Sequence, residues 1–83
     1  MNAKYIDLYG LTELQHNVVK VVDTWARKNK NPISHKEILL QMRQQNVKDY
    51  STVNAIRALI KKHYIRTAVI ISNKTYYVLL RSV

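Results

Sequence analysis

The hydrophobic pattern of this chain changes period once, close to His63, and that change sets what the chain can fold into. Before His63, apolar residues recur at intervals of three and four, the spacing of helices with one buried face. After it come two runs rich in β-branched and aromatic residues, 64–71 and 76–80, which predict a pair of strands. Between them Ser72-Asn73-Lys74-Thr75 supplies the turn of a hairpin. It lacks the Asn-Gly pair of a tight two-residue loop, so the spacing leaves the loop length open. Gly10 and Pro32 are the only residues of their kinds, so short links must join the elements.

Three helices are predicted ahead of the hairpin. Thr12 reads as the N-cap of the first, with Gln15 three residues on to return a hydrogen bond. Leu14, Val18, Val22 and Trp25 follow at helical spacing, and Val19, Val21 and Ala26 widen the stripe. Arg27, Lys28 and Lys30 close the helix at the end where cations suit its dipole. Trp25 is expected in the core, where burial of an aromatic of this size is worth about 3 kcal/mol. Ser34 and Glu37 have the Ser-x-x-Glu form of a capping box, so a second helix should run to about Gln45 with Ile38, Leu39 and Met42 inward, and Pro32 and Ile33 extended ahead of it. Residues 46–49 are polar enough for a turn. Tyr50, Ser51 and Thr52 then offer caps for a third helix that buries Val53, Ile56, Leu59 and Ile60 and ends near His63. The expected fold is α+β, mainly α: a winged helix-turn-helix in one domain over 1–83, with a three-helix core at 11–64 and a wing hairpin at 65–81. Residues 1–10 would form an N-terminal arm or a short helix.

A chain of 83 residues has room for one core, and 47% hydrophobic against 23% charged residues is the balance of a folded domain. No apolar run approaches the roughly 20 residues that cross a bilayer, and the first residues lack the apolar centre of a signal peptide. A cytoplasmic, nucleic-acid-associated protein with no membrane partner is therefore expected. Absence of cysteine excludes disulfides and thiolate metal sites. Charge is more informative. Fourteen basic residues against five acidic give +9, and eight of the basic ones lie in 42–83 against Asp49 alone, so an anionic partner is expected.

Catalysis is not expected. Asp7, Glu13, Asp23, Glu37 and Asp49 are scattered, without a serine or histidine in a reacting arrangement. His16, His35 and His63 have no metal-ligand spacing, so neither a metal nor another cofactor is predicted.

In a helix-turn-helix the second helix of the pair enters the major groove, and flanking cations and amides hold phosphates. With its apolar residues inward, the third helix would present Tyr50, Ser51, Thr52, Asn54, Arg57 and Lys61, with Lys48 just ahead. Asn54 suits the N6 and N7 edge of adenine, and Arg57 suits guanine O6 and N7 or a phosphate. Asn73 and Lys74 would stand at the wing tip. Ser34 and Lys36, where helix amides favour anions, add a phosphate contact. The plain alternative for this face is ordinary solvated surface.

Leu11-Thr12-x-x-Gln15-x-x-Val18, the stretch from Pro32 to Glu37-Ile38, and Ala58-Leu59-x-x-Lys62 resemble the DNA-binding domain of the LexA repressor family over about residues 11–80. MarR-like and phage regulators share much of the pattern. The resemblance implies a double-stranded operator read by the third helix, with Lys48, Tyr50, Ser51, Val53 and Asn54 where that family contacts bases. Two departures stand out. The family's glycine after the third helix is His63 here, and the family's self-cleaving, dimerising domain lies outside the resemblance, so neither autoproteolysis nor that dimer is implied.

The leading expectation is a sequence-specific duplex-DNA regulator, a repressor or activator of a phage, plasmid or mobile element. It would act as a homodimer through residues 5–9 or through Leu79, Leu80 and Val83. The alternative is a winged-helix module of a replication or repair assembly that binds protein or single-stranded nucleic acid. A reader of left-handed duplexes would need tyrosine four residues after Asn54, and position 58 is alanine.

Overall fold

The computed structural model describes residues 10–81, in the order α1 (Glu13–Asn29), β1 (Ile33–Ser34), α2 (His35–Arg43), α3 (Asp49–Lys61), β2 (Ile65–Ile71) and β3 (Lys74–Leu79). The strands form one antiparallel sheet in the order β1-β3-β2, with Ile33 opposite Tyr77 and Ile65 opposite Leu79. The described residues thus form a small α+β fold of three helices and a three-stranded sheet.

Helix α1 starts where its cap requires. Thr12 Oγ1 accepts from the Gln15 amide at 3.1 Å and Gln15 Oε1 accepts from the Thr12 amide at 3.2 Å, a complete capping box. Its buried stripe is Val18, Val19 and Val22. Trp25 is half-buried at the margin of the core rather than within it, and its indole N–H donates to Asn31 Oδ1 at 2.9 Å. At α2 the box is half formed: Ser34 Oγ accepts from the Glu37 amide at 3.0 Å, but the Glu37 carboxylate accepts from Gln41 Nε2 instead of returning to Ser34.

Helix α3 begins at Asp49, ahead of the expected Tyr50–Thr52 cap. Its N-cap is Lys48, which makes no side-chain cap bond. The first turn is held by Arg43, which donates from Nε and Nη2 to the two Asp49 oxygens at 2.8 and 2.6 Å and so joins the end of α2 to the start of α3. The buried face of α3 is also rotated from the expected one. Thr52, Ala55, Ile56 and Leu59 are buried, whereas Val53 is half-buried and Ile60 exposed. The helix ends in a Schellman motif. The His63 amide donates to Ile60 O, the Tyr64 amide to Leu59 O, and His63 takes the left-handed conformation at φ +64°.

The core gathers Leu11, the α1 valines, Ile33, Ile38, Met42, the α3 stripe, Tyr64, Ile65 and Tyr77. The hairpin leaves this core after Ile65. Ala68 is an extra residue between the Thr67–Tyr77 and Val69–Tyr76 pairs, a bulge that bends β2. Ile71 pairs with Lys74, which leaves a two-residue loop of Ser72 and Asn73 with φ +50° and +64°, the double positive φ of a type I′ turn. Lys74 is therefore the first strand residue rather than part of the loop.

Candidate nucleic-acid interface

The exposed face of α3 follows from what its other face buries. With Thr52, Ala55, Ile56 and Leu59 inward, Tyr50, Asn54, Arg57 and Lys61 fall at intervals of four, three and four on the opposite side, and all four are exposed, Tyr50 to 65%. They form a row of about 16 Å, three helical turns. Lys48 is exposed just ahead, and Ser51 is half-buried at the edge of the row. Thr52 does not belong to this face. It is 0% exposed, and its Oγ1 finds no hydrogen-bond partner among the described residues, so it is a core residue and cannot touch a ligand on the surface.

A second cluster lies where the hairpin meets α2. Ser34, His35 and Lys36 at the start of the helix face Asn73, Lys74, Thr75 and Tyr76 across a cleft of about 280 Å³. Ser34 and Lys36, expected to touch a phosphate, and Asn73 and Lys74, expected at the wing tip, thus share one cleft, although 36 and 73 are far apart in the chain. A cap, two ammonium groups and the amide end of a helix make it chemically fit for an anion. His35 and Tyr76 were not foreseen there. His35 Nδ1 shares a hydrogen bond with the Tyr77 hydroxyl at 3.0 Å, and burial pushes the Tyr77 pKa up, so that hydroxyl keeps its proton at neutral pH. No sequence signal reports such a pairing, because it depends on β3 passing beside β1.

The structure also separates engaged cations from available ones. Arg43 holds Asp49, which raises the Arg43 pKa and lowers that of Asp49, first through the hydrogen bonds between them. Arg27 pairs with Asp23 at 3.1 Å. Lys62 Nζ donates to Gly10 O at 2.7 Å and Gln15 Oε1 at 2.8 Å, tying the end of α3 to the start of α1. Arg81 stacks over the Tyr64 ring at 4.0 Å. Lys48, Arg57 and Lys61 have no such internal partner among the described residues.

No family model matches this chain, and no curated protein or solved structure does either. Among the described residues no group of three His, Asp or Glu side chains could hold a metal ion, and no helix is long and apolar enough to cross a membrane. Of the expected dimer contacts, Leu79 packs against the core and Leu80 is exposed, while Val83 and residues 5–9 lie outside the described residues.

Proposed function

We propose that this chain is a winged helix-turn-helix domain that binds double-stranded DNA as a sequence-specific regulator, with α3 in the major groove and the hairpin as the wing. The observation that carries this reading is the α3 row: an amide, a guanidinium, an ammonium and a phenol on one exposed face, opposite a fully buried one. Asn54 and Arg57 are the two side-chain types best suited to bidentate contact with adenine and guanine. The cleft of Ser34, Lys36, Asn73 and Lys74 would hold backbone phosphate beside that helix and fix its register. Three helices followed by a hairpin agree with this fold, and the resemblance to LexA-type domains gives the same role to the third helix.

One observation favours a second reading. Val69, Ile70 and Ile71 are exposed towards the hairpin tip, where a wing devoted to phosphate would be polar. They suit a protein partner, as in a module of a replication or repair assembly.

Selection of bound fragments from a random duplex pool at stated salt separates the two. The regulator yields a recurring motif, two-fold if the protein binds as a dimer, whereas the module yields none. In the regulator, Asn54→Ala and Arg57→Ala each weaken binding to the selected duplex by about 1–3 kcal/mol, with the thermal transition unchanged. Titrations indistinguishable from the parent would remove α3 from the interface.

A further inference from the structure

The outer face of α1 carries a second cationic feature that the duplex reading does not use. A groove of about 480 Å³ runs between α1 and α2, lined by Asn17, Lys20, Trp25 and Lys28 on one side and Gln41 and Gln45 on the other, and among the described residues no carboxylate lines it. Among the described residues neither lysine is held in an ion pair: Asp23, on the same helix, pairs with Arg27, and Glu37 accepts from Gln41. Lys20 and Lys28 lie about 12 Å apart along the helix with Trp25 between them in sequence. The indole is held by its hydrogen bond to Asn31, which does not line the groove. Cation, aromatic plane, cation, faced by side-chain amides that both donate and accept, is the chemistry that holds a base between phosphates.

We propose that this groove binds the base-and-phosphate unit of a nucleotide, either free or within a single strand. It shares no lining residue with the cleft of Ser34, Lys36, Asn73 and Lys74. No residue of the α3 row lines the groove, and only Asn17 is shared with the shallow pocket that reaches Lys48 and Ser51.

Trp25 is the only tryptophan, so the fluorescence of the full chain reports on ligands at the indole, and the α1 lysine variants assign them to the groove rather than to the pocket that Trp25 lines with Pro32 and Tyr76. The probes are adenosine monophosphate, a thymidine oligomer and, as a charged control, a polyglutamate peptide. Saturable quenching by the mononucleotide places a free nucleotide in the groove, and quenching by the oligomer alone places a single strand there; either supports the proposal. Lys20→Glu/Lys28→Glu weakens the response about tenfold, the scale of one stacked base with its phosphate contacts. Lys61→Glu/Lys74→Glu, of equal charge change, shifts it less than about threefold, and Asn54→Ala/Arg57→Ala leaves it in place. Circular dichroism checks that the α1 variant is folded, and Lys20→Gln/Lys28→Gln serves if it is not. No quenching by either nucleotide probe overturns the proposal. So does equal quenching by polyglutamate, or parent-like affinity in the α1 variants.

Discussion

Thr52 brings a hydroxyl into the core and leaves it without a partner, in a position where a methyl group would only be packed. An unsatisfied buried hydroxyl costs about 1–3 kcal/mol, so Thr52→Val is expected to stabilise the protein by about 1 kcal/mol. That corresponds to a rise of about 4–8 °C in the midpoint of thermal unfolding, readable by calorimetry. Duplex affinity should not change, and a loss of affinity would place Thr52 on the ligand surface after all. Asp49 makes a prediction of a different kind. Arg43 holds its carboxyl below the ordinary carboxylate range, so the ionised form is favoured in the folded state. The stabilisation is present above that ordinary range and is lost as pH falls through the lowered value. Unfolding followed between pH 6 and pH 2 should therefore lose an acid-side step in Asp49→Asn. At this scale the sequence was informative wherever a residue's role is local. Thr12 with Gln15 and Ser34 with the Glu37 amide are contacts three residues apart, and Asn54, Arg57 and Lys61 are exposed because helical periodicity says so. Thr52 was misplaced for a physical reason: threonine caps helices and lines cores equally well, and only the start of α3, fixed by the Arg43–Asp49 pair, decides between them.

Among the elements, α3 shows how both ends of a helix are set from outside its own sequence. Its start has no side-chain cap and depends on an arginine of α2, which is why the expected start fell later than Asp49. Its end is written in the backbone. His63 sits at φ +64° where Tyr64 must turn back to pack beside Leu59 under the helix. The left-handed conformation costs a residue with a Cβ about 1–2 kcal/mol, and glycine would remove that strain while adding some freedom to the unfolded chain. His63→Gly is thus expected to stabilise by about 0.5–1 kcal/mol, measured by urea unfolding with an unchanged slope; a destabilised variant would mean that the imidazole makes a contact that outweighs the strain. The hairpin teaches a related lesson. Its two strands were legible from β-branched and aromatic content, but a tight loop needs two residues at positive φ, and Ser72 and Asn73 adopt them without the glycine that usually announces such a turn. The bulge at Ala68 and the cleft between the hairpin and α2 were not legible at all, since both depend on strand register between distant segments.

At the scale of the whole molecule, +9 overstates what one bound duplex can use. Arg27 and Arg43 are paired with aspartates, Lys62 is tied to Gly10 and Gln15, and Arg81 covers the Tyr64 ring. Lys20 and Lys28 line the α1–α2 groove, which includes no residue of the α3 row. Lys4 lies outside the described residues, and Lys30 follows α1 and Arg66 lies on β2, which leaves Lys36, Lys48, Arg57, Lys61 and Lys74 as the cations that α3 and the neighbouring cleft can offer to a phosphate backbone. Each phosphate neutralised on duplex DNA contributes about −0.9 to the slope of log affinity against log salt concentration, so the five predict a slope of about −4 to −5 per chain. Fluorescence anisotropy of a labelled duplex across a salt series measures it. Removing one backbone contact, as in Lys61→Ala, should make the slope shallower by about one while weakening all sequences alike, whereas Asn54→Ala should leave the slope unchanged and relax the choice of base. A slope near −9 would instead mean that the charge acts as a diffuse whole, with α3 no more engaged than the rest of the surface, and the interface drawn above would have no physical basis.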